Sequence, residues 1–123
     1  MINDNQGYNN YINMNTESLI PIENIEFLTP SGPWRLNFNH STEPRKTLET
    51  GEETEVFTAE FVEASENTRA AFIVALIRRK YSSDDESAIV RKKLSEIDAM
   101  NEFQEYNAFV EECKQIVNSI FQV

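Results

Sequence analysis

Trp34-Arg35-Leu36-Asn37-Phe38-Asn39-His40 alternates without a break. Trp34, Leu36, Phe38 and His40 share one face, and Arg35, Asn37 and Asn39 share the other. This period of two predicts a strand with one half-buried face and one polar outer face. Residues 54–62 alternate as well, with Phe57, Ala59 and Phe61 against Val56, Thr58, Glu60 and Val62, and Gly51 marks a turn before them. Residues 41–46, interrupted by Pro44, read as loop. Upstream, Ile22, Ile25, Phe27 and Leu28 make a short extended piece that ends at Thr29-Pro30-Ser31-Gly32-Pro33, which admits only a turn or loop. Two or three strands with one apolar face need a helix or a second subunit to cover them.

The remainder of the chain reads as helical. Residues 66–81 place Ala70, Ile73, Val74 and Ile77 on one face, widened by Phe72, Ala75 and Leu76, with Ser65 as the expected N-cap. Such a helix is expected to be central, touched on several sides, and Arg78-Arg79-Lys80 complements its negative end. Ser83 followed three residues later by Glu86 predicts a capping box opening a helix over 84–94, closed by Arg91-Lys92-Lys93. A third helix is expected from near Asn101 to the C-terminus. Its stripe of Phe103, Tyr106, Val110, Cys113, Val117 and Ile120 steps by three and four.

Residues 1–18 carry Asn at positions 3, 5, 9, 10, 13 and 15 and no Lys or Arg. Asn competes with the backbone for hydrogen bonds and disfavours helix and strand interiors. The segment reads as a fraying terminus, or as an arm ordered on a partner with Tyr8, Tyr11, Ile12 and Met14 as anchors. The expected class is therefore α+β: a flexible N-terminal arm over 1–18, a small antiparallel sheet, then three helices. Residues 19–123 are expected to form one domain, strand-rich over 19–64 and helical over 65–123.

Composition bounds the function. The chain has 123 residues, 40% hydrophobic and 11% aromatic, enough apolar material for one packed domain. Its longest apolar run, residues 70–77, is far short of a membrane span, and the first twenty residues lack the pattern of a secretory signal. Eleven basic residues against 21 acidic ones give a net charge of −10, which repels nucleic acid and anionic membrane. Neither is expected as a partner. Seven glutamates and no base lie between residues 49 and 66.

No constellation for chemistry stands out. The single Cys113 rules out an intramolecular disulfide and sits on the apolar stripe, where a small core residue is expected rather than a nucleophile. A Ser-His-Asp triad would have to use His40, the only histidine, without a nucleophile-elbow motif. Gly7, Gly32 and Gly51 are isolated, so no phosphate-cradling loop is present. Asp84-Asp85-Glu86 reads as helix-start chemistry, since adjacent helical residues diverge. The two basic triplets read as capping and solvation, or as contacts to an acidic surface. An enzyme is not expected, nor any catalytic residue, metal or cofactor. Trp34 either anchors the sheet or forms an exposed aromatic edge beside the turn at residues 30–33, and the sheet edge is where an interface is expected.

Ile77-Arg78-Arg79-Lys80-Tyr81-Ser82-Ser83-Asp84-Asp85-Glu86-Ser87-Ala88-Ile89-Val90-Arg91, followed by Glu102-Phe103-Gln104-Glu105-Tyr106-Asn107-Ala108-Phe109-Val110-Glu111-Glu112-Cys113-Lys114, resembles a helical segment of small bacteriophage and prophage proteins. The resemblance covers about the last 45 residues. It implies a non-enzymatic virion accessory or structural protein, a head- or tail-attached assembly or decoration component in a particle assembled in the bacterial cytoplasm. Its expected partners are other virion proteins and further copies of itself, with Tyr8, Tyr11, Ile12, Met14 and Trp34 as the expected interface. The competing reading is an acidic adaptor or inhibitor that occupies a basic site on a host protein through residues 49–66. A small hydrolase is a third class.

Overall fold

The computed structural model describes residues 13–28, 30, 32–46, 49–95 and 100–122. The chain is α+β: strands β1 (Met14–Ser18), β2 (Ile25–Phe27), β3 (Trp34–Lys46) and β4 (Glu53–Ala64) precede helices α1 (Arg69–Ile77), α2 (Ser83–Ser95) and α3 (Met100–Phe121). The last strand ends at Ala64 and the first helix begins at Arg69. One compact unit, Asn13–Asn67, holds the sheet, and a second, from Thr68 onward, holds the helices.

The sheet is antiparallel throughout, in the order β1-β4-β3-β2. The alternation over Trp34 to Phe38 places Leu36 opposite Val62 and Trp34 opposite Ala64. Leu36, Phe38, Val56 and Val62 are buried on this face. The opposite face was expected to be polar and outward. Asn37 is instead fully buried there, because its Nδ2 donates to the Glu23 carbonyl at 2.7 Å and to Glu26 Oε1 at 2.8 Å. Arg35 is half-buried beside it, its guanidinium 3.8 Å from the Phe61 ring centre and paired with Glu63 at 2.9 Å.

Residues 41–46 are strand rather than loop. The register slips between Phe38 and Ser41, where Asn39 takes φ +52°. This one-residue bulge hands the face of Leu36 and Phe38 to Ser41, Glu43 and Arg45. Pro44 is tolerated because β2 pairs only with residues 34–36, leaving that edge of β3 without a strand partner among the described residues. Gly32, at φ +85°, turns β2 into β3 in a backbone region other residues rarely adopt, and Leu28 N–H donates to the Pro33 carbonyl across the turn.

Residues 1–12 lie outside the described residues. Met14–Ser18, expected in the arm, is the edge strand β1, with Met14, Thr16 and Ser18 opposite Phe61, Ala59 and Phe57. On its other face Glu17 Oε2 accepts from Arg45 Nη2 at 2.6 Å, and the guanidinium also bonds Glu43. The hydrogen bonds and charge of Arg45 hold the Glu17 carboxyl below its ordinary pKa of 4.5.

In the helical unit α1 starts later than expected, capped by Thr68 rather than Ser65; Thr68 Oγ1 accepts from Ala71 N–H at 3.1 Å. Its buried residues are Phe72, Leu76 and Ile77, while Ala70 is exposed and Val74 is 47% exposed, so the helix is not covered all round. The basic triplet follows the last turn, and buried Arg79 donates from Nε to the Leu76 carbonyl at 3.1 Å. The α2 cap is Ser82, one residue before the expected Ser83: its Oγ accepts from Asp85 N–H while Asp85 Oδ2 accepts from Ser82 N–H, both at 3.0 Å. Phe109, Cys113 and Val117 form the buried line of α3. Phe121 packs on Phe72 at 6.2 Å, and Asn118 Oδ1 accepts from Arg69 Nε at 3.0 Å. The α2–α3 junction is pinned by Glu86, which pairs with Arg78 at 2.8 Å and accepts from the Tyr106 hydroxyl. Burial, then this carboxylate, push the Tyr106 phenol up to about 12.

Candidate interaction surface

Among the described residues the sheet ends in two unlike edges. At one side β2 is three residues long, and its central Glu26 already holds Asn37. Beyond it the edge of β3 carries Glu43, Pro44, Arg45 and Lys46, a proline and charges of both signs. At the other side lies β1, Met14-Asn15-Thr16-Glu17-Ser18, with no proline, no base and no bulge. A strand edge presents a row of backbone donors and acceptors, and proline, lysine and bulges are the usual means of blunting it. Leu19 and Ile20 follow β1 directly at 72% and 69% exposure. The bend there is held by Ser18 Oγ, which accepts from Ile20 N–H at 3.1 Å.

Of the expected interface residues, Tyr8, Tyr11 and Ile12 lie outside the described residues. Met14 is exposed on β1, opposite Phe61. Trp34 opens β3 and is half-buried, its ring 4.7 Å from the half-exposed Phe27. Met14 and Trp34 are not brought together: β4 runs between their strands, and the registers put them on opposite faces. Trp34 thus stacks on Phe27 across the β2–β3 pair. Next to it Gly32, Pro33, Glu63, Ala64 and Ser65 line a shallow cleft of about 380 Å³. Leu19, Ile20 and Phe27 were missed as surface residues. Leu19 and Ile20 lie just beyond the paired residues of β1, and Phe27 is the last paired residue of β2, opposite Trp34.

Two other concavities among the described residues offer little concerted chemistry. Pro21, Ile22, His40, Ser41, Thr42, Phe57 and Thr58 line one of about 490 Å³. His40 Nε2 there lies 2.8 Å from Asn24 Oδ1, in the bulge rather than at a strand end. In the helical unit Lys80, Tyr81, Asp85, Ala88, Ile89, Lys92 and Glu102 line a cleft of about 320 Å³, where Lys92 and Glu102 stand 3.7 Å apart. Cys113 is fully buried, and burial raises the pKa of its thiol, which keeps it protonated. Among the described residues no group of three His, Cys, Asp or Glu is placed to hold a metal ion, and no helix is long and apolar enough to cross a membrane. The chain matches no protein-family model, no curated protein and no solved structure.

Proposed function

We propose that the chain is a non-enzymatic accessory protein of a bacteriophage particle, a head- or tail-attached component that acts through protein–protein contacts. The observation that carries the contact role is the β1 edge, free of proline, lysine and bulges, with Leu19 and Ile20 exposed at its end. Such an edge gives affinity through main-chain hydrogen bonds, and flanking apolar side chains give specificity. Attachment to a particle rests on the resemblance read in residues 77–91 and 102–114. The partners in this reading are other virion proteins and further copies of the chain, and its location is the virion. A net charge of −10 speaks against nucleic acid and anionic membrane as direct partners. The test is mass spectrometry of particles purified on a density gradient from the bacterium that carries the gene. Recovery of the chain in the particle band at a fixed ratio to the major virion proteins is expected.

A second reading is favoured by the charge of the sheet unit, where eleven acidic residues stand against three basic ones, with Glu43, Glu52, Glu53 and Glu55 exposed. In that reading the chain is an acidic adaptor or inhibitor on a basic site of a host protein. Recovery in the soluble fraction, bound to a basic protein and released by salt, would replace the particle assignment.

A further inference from the structure

We infer that β1 pairs antiparallel with β1 of a second copy, joining two four-stranded sheets into one of eight strands. This deepens the reading of the sheet as a docking surface and does not rest on attachment to a particle. The occupant follows from the register. Facing residues of an antiparallel pair point to the same side, so a two-fold axis perpendicular to the sheet must pass through a residue pair. Centring on Glu17 would set two carboxylates against each other. Centring on Asn15 leaves Ser18 outside the paired strands. Centring on Thr16 uses all five residues: Met14 faces Ser18 of the second copy, and Asn15 faces its Glu17.

That last pairing is complementary. Asn15 and Glu17 project from the same face of the sheet, since they lie opposite Glu60 and Thr58. An amide of Asn15 donates to a carboxylate that has acceptor sites beyond those used by Arg45. The contact occurs twice by symmetry, with no like charges face to face. The opposite edge of the sheet, blunted by Pro44 and flanking charges, is not equivalent. Five paired residues with Leu19 and Ile20 at each end make a small interface, so the dimer is weak, in about the micromolar range or above. Each sheet unit is strongly acidic, so association is opposed by long-range repulsion and strengthened by salt, the reverse of docking on a basic partner.

The experiment is sedimentation velocity of the full chain across about 1 µM to 1 mM, repeated as NaCl rises from about 0.1 M to about 1 M and the screening length falls from about 10 to about 3 Å. A mass rising towards the dimer, more steeply at high salt, is expected. Asn15→Glu places glutamates against Glu17 in both symmetry-related pairs, and Asn15→Lys places cations there. The dimer constant should move in opposite directions, by about two- to thirtyfold in each case. Circular dichroism of both variants checks that the sheet is retained. A monomer at every concentration and salt overturns the inference. So does a dimer indifferent to both substitutions, which would use another face, and so does a dimer lost only when residues 1–12 are removed, which would make that segment the occupant. Particle recovery is scored on separate samples, so a monomeric chain found in particles sinks the dimer and leaves the particle assignment standing.

Discussion

At Asn39 the backbone enters the left-handed region, and the side chain donates from Nδ2 to Glu60 Oε2 at 2.7 Å. Asn tolerates that conformation better than most residues, and the bulge it makes allows β3 to continue to Lys46. Asn39→Ala should cost about 1–3 kcal/mol through backbone strain alone. Asn39→Gly should recover much of that while still losing the bond to Glu60, and urea unfolding of both variants checks the order. Asn37 carries a sharper cost. Its two N–H groups are spent on the Glu23 carbonyl and the Glu26 carboxylate in a site closed to solvent. Asn37→Asp would face two acceptors with a buried charge, at a cost of about 3 kcal/mol or more at neutral pH. Because a buried carboxyl beside a carboxylate titrates above its ordinary range, the destabilisation should shrink as pH falls; unfolding at neutral and mildly acid pH tests the sign. Alternation assigned Asn37 to an outer face. The strand itself was legible, but the residues that bury Asn37 come from another part of the sheet unit, which no local period records.

The sequence predicts the cap of α2 at Ser83 with Glu86, and the structure closes it one residue earlier, at Ser82 with Asp85. Ser82 with Asp85 and Ser83 with Glu86 both fit the same spacing. Glu86 is taken by Arg78 and Tyr106, which leaves Asp85 to close the reciprocal cap with Ser82. Ser82→Ala should therefore lower stability by about 0.5–2 kcal/mol, while Ser83→Ala should leave the thermal melt nearly unchanged. The reverse order would restore the cap to Ser83. The Glu86 junction has its own signature in alkali. With the folded phenol of Tyr106 pushed up to about 12 from an ordinary 10.0, folding favours the protonated form. Its contribution is whole below pH 10.0 and is lost as pH rises through about 12. Tyr106→Phe should flatten that alkaline loss, measured by unfolding across this range, and weaken the fold at neutral pH by about 1.5–3 kcal/mol. The stripe that placed Tyr106 on α3 was plain in the sequence; its bond to Glu86, twenty residues away, was not.

Across the whole chain, charge separates the two units. Residues from Asn13 to Asn67 carry eleven acids and three bases, whereas residues 68–123 carry nine acids and eight bases. Composition showed the acidic run but not that one compact unit holds nearly all of the imbalance. Nor did it show where the N-terminal segment ends and the sheet begins, since Met14, Thr16 and Ser18 become a strand only once Phe61, Ala59 and Phe57 lie opposite. Two truncations separate these parts. Removing residues 1–12 leaves every described element whole, and their Asn-rich, base-free composition offers little apolar surface to bury. Removing residues 1–18 deletes β1, its ladder to β4 and the Glu17–Arg45 bonds, and it uncovers the edge beside Phe57 and Phe61. The shorter truncation should melt with the full chain, and the longer one more than about 5 °C below it. Calorimetry of the three proteins at one concentration reads the difference directly. Equal losses from both truncations would place residues 1–12 within the cooperative fold, and a longer truncation that melts with the full chain would mean that β1 adds nothing to the sheet.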